Sequence, residues 1–125
     1  MTYFVTGATG FIGNNLVQTL LQQRKGKIYA LVRKDSLEKF EAIKQRWGKD
    51  GERVIAVVGE LGKPKLGVAA KDIAELKGKI KHFFHLAALY DLKATAEEQV
   101  EANVNGTRHA LQFAEAVEAG VFHHT

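Results

Sequence analysis

Apolar residues fall into two alternating spacings along the chain. Tyr3-Phe4-Val5-Thr6 is a short apolar run that ends at a glycine turn. Behind it Ile12, Leu16, Val17, Leu20 and Leu21 recur at helical spacing, which predicts an amphipathic helix over 11–24. The segment 27–33 encloses Ile28-Tyr29-Ala30-Leu31-Val32, a second strand. Asp35, three residues before Glu38, has the form of a capping box opening a helix that runs to about Trp47, ahead of Gly48. The β-branched run over 54–58 reads as a third strand. Val68, Ile73 and Leu76 mark a short helix closed by Gly78, and 82–86 reads as a fourth strand. Thr95 and Glu98 form a second capping box. After it Val100, Val104, Thr107, Leu111 and Ala114 trace one face of a long helix ended by Gly120. Val121-Phe122-His123-His124 starts a fifth strand.

Continuous apolar strands separated by helices imply a parallel sheet covered on both faces. Right-handed crossovers then favour an α/β, doubly wound sheet of order 3-2-1-4-5. In that order the first and fourth strands are neighbours, and the crevice between their carboxyl ends is the expected ligand site. The fifth strand has no successor, so an apolar edge lies bare and offers a route to self-association. No repeat, linker or low-complexity segment interrupts the pattern.

Composition changes this picture little. The 125 residues fit one domain, and 46% hydrophobic with 26% charged residues is ordinary globular composition. Cysteine is absent, which excludes disulfides and thiolate metal sites. No apolar run is long enough for a membrane span, and no charged leader precedes the first strand; a cytoplasmic protein is expected. The formal charge of +4 and pI near 9.4 raise the question of nucleic acid. The basic residues are scattered, however, and the dense stretch Lys63, Lys65, Lys71, Lys77, Lys79 and Lys81 reads as a solvated face, so no nucleic-acid partner is expected. His82, His85, His109, His123 and His124 invite a metal. Within one strand, His82 and His85 point to opposite faces, as do His123 and His124, so neither pair clamps an ion and no metal site is expected. His85 reads as a packed residue with a hydrogen-bond partner.

The chemistry is concentrated in Thr6-Gly7-Ala8-Thr9-Gly10-Phe11-Ile12-Gly13, between the first strand and the first helix. Gly7 permits a sharp turn, Gly10 lacks a side chain that would block a diphosphate, and Gly13 permits close helix–strand packing. The helix N-terminus then offers free N–H groups and a positive dipole to phosphates. Asn14 and Asn15 follow Gly13, with no Gly-Lys-Ser/Thr, so a P-loop is not expected.

The G-x-x-G-x-x-G spacing with its leading Thr6 resembles the extended short-chain dehydrogenase/reductase family. So do His85-Leu86-Ala87-Ala88 at the end of strand four, Asn103-Val104-Asn105-Gly106-Thr107 in the long helix, and Gly59-Glu60-Leu61 after strand three, where Glu replaces the family's Asp. The resemblance spans the whole chain and implies a Rossmann-type domain over 1–125 that binds a dinucleotide. It implies that Gly7, Thr9, Gly10, Phe11, Ile12 and Gly13 hold the diphosphate and that Glu60 and Leu61 border the adenine. Leu86, Ala87 and Ala88 would line the trough beside the pyrophosphate and nicotinamide ribose, and Asn103 would reach the cofactor or brace strand four.

An acidic residue at the end of strand two would favour NAD; Arg33 and Lys34 stand there instead. A guanidinium suits a 2′-phosphate, so NADP(H) is expected over NAD. Asp35 is assigned to helix capping. In the resembled family a Ser just after strand five and a Tyr-x-x-x-Lys on the next helix carry the proton chemistry. Here Tyr3, Tyr29 and Tyr90 are followed four residues on by Gly7, Arg33 and Ala94, so no catalytic residue is assigned. The expectation is an N-terminal portion, inactive by itself, whose catalytic and substrate-binding regions lie elsewhere. Gly59-Glu60-Leu61 with Pro64, Leu66-Gly67-Val68 and Asp72 resembles the fatty acyl and thioester reductases of the family, which implies an acyl-thioester substrate. A sugar-nucleotide epimerase/dehydratase, a hydroxysteroid-type relative and a redox-silent NADP sensor are the alternatives.

Overall fold

In the computed structural model, residues 2–8, 11–86 and 95–124 are described, the side chains of Phe11 and Ile12 excepted. The strands are β1 (Tyr3–Thr6), β2 (Ile28–Val32), β3 (Val54–Val58), β4 (His82–His85) and β5 (Val121–His124). Between them run α1 (Phe11–Gln23), α2 (Leu37–Arg46), α3 (Ala70–Leu76) and α4 (Ala96–Ala116). The strands pair in parallel in the order β3-β2-β1-β4-β5, as the alternation of spacings predicts.

Because strand side chains alternate between faces, β1 feeds two cores. Tyr3 and Val5 pack with Val17, Ile28, Phe40 and Val54 beneath α1 and α2. Phe4 faces the other way, toward Phe83, Phe113, Ala110 and Val117 beneath α3 and α4. The rings of Phe4 and Phe83 stack at 4.9 Å, and Phe113 closes on Phe4 at 4.8 Å. Aromatic contacts of this kind add to the burial energy and fix α4 across β1 and β4.

Helix α1 has no basic residue in its last turn to satisfy the exposed carbonyls. Arg53, just before β3, supplies that charge: its guanidinium donates to the carbonyls of Leu21, Arg24 and Gly26. The amino end of α4 is closed as the sequence predicts. Thr95 Oγ1 accepts from the Glu98 N–H at 3.1 Å, and the Glu98 carboxylate accepts from the Thr95 N–H at 3.5 Å.

Two readings of the sequence differ from the structure. Asp35 does not cap α2. A 3-10 turn, Lys34–Ser36, intervenes; Ser36 takes the N-cap position without a side-chain bond, and Asp35 turns back to Arg33. Nor does the α4 face traced by Val100, Val104, Thr107, Leu111 and Ala114 meet the sheet as a whole: of these five, Ala114 is buried, while Val100, Val104 and Leu111 face outward. These three are 63%, 53% and 42% exposed, whereas Gly106, Ala110, Phe113 and Ala114 are buried. Small residues on the inner face let the helix axis approach the sheet, with Gly106 directly over Leu61. The larger aliphatic side chains are left on the outer side.

Candidate functional site at the carboxyl ends of the strands

The turn after β1 requires glycine for two separate reasons. Gly7 has φ 80°, a left-handed conformation that a side chain disfavours. A Cβ on Gly13 would fall on the carbonyl of Gly7, so helix and strand meet there backbone to backbone. Phe11 and Ile12 form the first turn of α1, which contains no acidic residue to repel an anion. Thr9, Gly10, Ala87, Ala88, Tyr90 and Ala94 lie outside the described residues.

Arg33, Lys34, Asp35 and Glu60 line a cleft of about 610 Å³ where β2 and β3 end. A terminal nitrogen of Arg33 donates to Oδ2 of Asp35 at 3.4 Å, Nε lies at ion-pair distance from Oδ1, also 3.4 Å, and both side chains are solvent-exposed. Glu60 stands 3.9 Å from the Lys63 ammonium. Leu61 is half-buried against the second core, and its carbonyl accepts from Nδ1 of His109 at 2.6 Å. This anchors the loop after β3 to α4. The same loop carries Lys65 and Leu66 at φ 53° and 60°, a strained pair held in place by full burial of Leu66.

Across the β1/β4 crevice, the Leu86 N–H donates to the carbonyl of Thr6 at 3.3 Å and to its Oγ1 at 3.2 Å. Thr6 Oγ1 also lies 2.8 Å from Nδ1 of His85. His85 is 2% exposed, and burial, followed by the neighbouring His124, pushes its pKa down to about 4. His85 is therefore the packed, hydrogen-bonded residue that the sequence predicts, and it is neutral at pH 7.

Arg33, Lys34 and Glu60 are thus gathered in one cleft, and Thr6, just before Gly7, meets Leu86 at the β1/β4 crevice. Asn103 stands apart from the Arg33 cleft. It lines a groove of about 550 Å³ with Val100, Val104, Thr107, Arg108, Leu111 and His124. Sequence reasoning missed Thr6, Thr107 and His109 as contacts, and it missed the cross-strand histidine pairs. His82 Nδ1 lies 3.2 Å from His123 Nε2, and the rings of His85 and His124 stack at 5.3 Å. Opposite faces within each strand were legible; partners across β4 and β5 follow only from the register.

An NAD-binding family model described as "Male sterility protein" matches residues 5–125. A linear gramicidin synthase polypeptide of Brevibacillus parabrevis is 32% identical over 120 residues, covering 90% of this chain and 2% of that protein. Fatty acyl-CoA reductase 1 of Mus musculus is 29% identical over 126 residues, covering 89% of this chain and 24% of the relative. Among solved structures, the terminal R domain from the myxalamid PKS-NRPS biosynthetic pathway superposes with a TM-score of 0.82 and 31% identity. That match covers 98% of this chain and 33% of the other. The chain therefore spans a third or less of the length of each of these proteins.

Proposed function

Because the chain belongs to the NAD-binding male sterility protein family, we propose that it forms the NADP(H)-binding part of a reductase acting on an acyl thioester. A nicotinamide dinucleotide is the ligand class of the family; the preference for the 2′-phosphorylated form is the finer step. The observation that carries it is the placement of Arg33 and Lys34 in one cleft with Glu60, at the end of β2 where the adenosine ribose would rest. The turn geometry fits the diphosphate: Gly7 in the left-handed region, Gly13 without room for a side chain, and an α1 amino end clear of carboxylates.

The thioester substrate rests on the likeness to the fatty acyl-CoA reductase and to the terminal R domain, and on the loop from Gly59 to Val68. In this proposal residues 1–125 are the dinucleotide-binding domain, and the groups that place the substrate and deliver its proton belong to a longer protein. The bound cofactor would supply a hydride. Residues of this chain would hold its phosphates and adenosine.

Calorimetric titration with NADPH and NADH tests the cofactor reading. NADPH should bind more tightly, and Arg33→Ala should cost roughly 1.5–3 kcal/mol of that preference, the range for a charge-assisted contact. Equal affinities for the two cofactors, unaffected by the substitution, would sink it. Reduction of an acyl thioester by a longer protein containing this domain tests the substrate. A protein that binds NADPH and turns over no thioester would instead favour a sensor.

A further inference from the structure

Four side chains from β1, β4, α4 and β5 form a continuous hydrogen-bonded series at the carboxyl end of the sheet. Thr6 Oγ1 accepts the Leu86 N–H and lies 2.8 Å from Nδ1 of His85, to which its hydroxyl can donate. With Nδ1 as acceptor, neutral His85 carries its proton on Nε2. That N–H faces Thr107 Oγ1 at 3.3 Å, and the Thr107 hydroxyl faces Nε2 of His124 at 3.4 Å. Thr6 and His85 are sealed from water, at 0% and 2% exposure. His124 and Phe122 of β5 flank the His85 ring at 5.3 and 6.1 Å, and among the described residues His124 is the titratable group facing it.

The Thr6 end of this series meets the crevice. Thr6 is the residue before Gly7, and Leu86 leads into the segment expected to line the cofactor trough. At this point the Leu86 N–H is shared between the carbonyl and the hydroxyl of Thr6, and the same hydroxyl meets His85 just before the chain leaves for the glycine turn. We propose that His85 is a positioning residue for the dinucleotide: it orients Thr6, and through Thr6 it holds the glycine turn and Leu86 in binding geometry. The inference rests on the dinucleotide reading above and adds a residue to it that touches no cofactor. Because linkage is reciprocal, a crevice that needs neutral, Nε2-protonated His85 to bind the dinucleotide must in turn report binding at His85.

The test is made on the 125-residue chain with NADP⁺ as the probe. His85→Leu removes both hydrogen bonds and should weaken NADP⁺ binding by about tenfold, the scale of one lost buried hydrogen bond. His85→Asn replaces Nδ1 with a side-chain amide that still reaches Thr6, and it should recover most of that loss. In ¹⁵N-labelled unaltered chain, the His85 imidazole should show the Nε2–H tautomer at pH 7, and its resonances should move on saturation with NADP⁺. This measurement stands even where a variant fails to fold. Binding by His85→Leu equal to that of the unaltered chain, an Asn variant no better than Leu, an Nδ1–H tautomer, or resonances indifferent to NADP⁺ would each overturn the positioning role and leave the dinucleotide reading intact. Failure of the unaltered chain to bind NADP⁺ or NADPH would instead remove the dinucleotide reading, and this inference with it.

Discussion

Arg33 and Asp35 compete for the same function. An exposed ion pair of this kind is worth at most about 1 kcal/mol, so it opens readily for a better partner. A 2′-phosphate is a better partner for the guanidinium, but Asp35 would then leave a like charge beside it. Asp35→Asn is therefore expected to tighten NADPH binding by roughly two- to fivefold at low ionic strength and less in high salt. Titration at two salt concentrations checks this, and weaker binding would show that Asp35 itself holds the ribose. At Gly13 the expectation is more severe. The Cβ of Gly13→Ala would fall on the Gly7 carbonyl, which must move the helix off the strand. We expect a loss of roughly 2 kcal/mol or more in denaturant unfolding, together with lost nucleotide binding. The two residues also mark what was legible. Gly13 could be read because its reason is local, a spacing within one turn. Asp35 was misread because Asp-x-x-Glu is a local signal too, and only the 3-10 turn over Lys34–Ser36 showed that a different contact had won.

At the scale of the element, α4 shows why periodicity locates a helix more securely than it orients one. Val100, Val104, Thr107 and Leu111 lie on one side and Gly106, Ala110 and Phe113 on another, with Ala114 buried at the border between them, so two apolar stripes share the helix. Hydropathy favours the bulkier stripe. Packing against a sheet favours the smaller one, since small residues bring the helix within contact of Leu61 and leave Phe113 to fill the remaining space against Phe4. The consequence is measurable. Val104→Glu should alter stability by no more than about 0.5 kcal/mol, as exposed substitutions do, while Phe113→Ala should cost about 3–5 kcal/mol. Chemical denaturation of both variants decides it; a large loss for Val104→Glu would mean that the outer face is buried in solution. The capping box needed no such arbitration. Thr95 and Glu98 bond each other's backbone as their spacing predicts, because both partners lie within one turn.

For the molecule as a whole, the sheet order was legible because alternating elements and crossover handedness leave few arrangements. The site was legible only in part, because strand order brings together residues far apart in the chain: Thr6 meets His85 from 79 positions away. That contact makes stability depend on pH in a predictable direction. In the unfolded chain His85 would protonate near its ordinary value of 6.5, whereas in the folded chain burial and His124 hold it neutral down to about 4. Between those values the unfolded state binds the extra proton, so stability falls as pH falls. The stabilising margin is complete above about pH 6.5, declines across the window, and is gone below about pH 4, a total of roughly 3 kcal/mol for this one group. His82 shifts in the same direction, through burial first and then His123 and Lys81, and adds to the slope. For a domain whose net stability is of order 5–15 kcal/mol, such a loss should be plain in urea midpoints measured from about pH 7 to about pH 4.5. His85→Asn places no titrating imidazole between Thr6 and Thr107, so its midpoint should decline less over the same interval. Parallel declines for the two proteins would show that His85 is not held neutral in the fold, and that other groups set the acid limit.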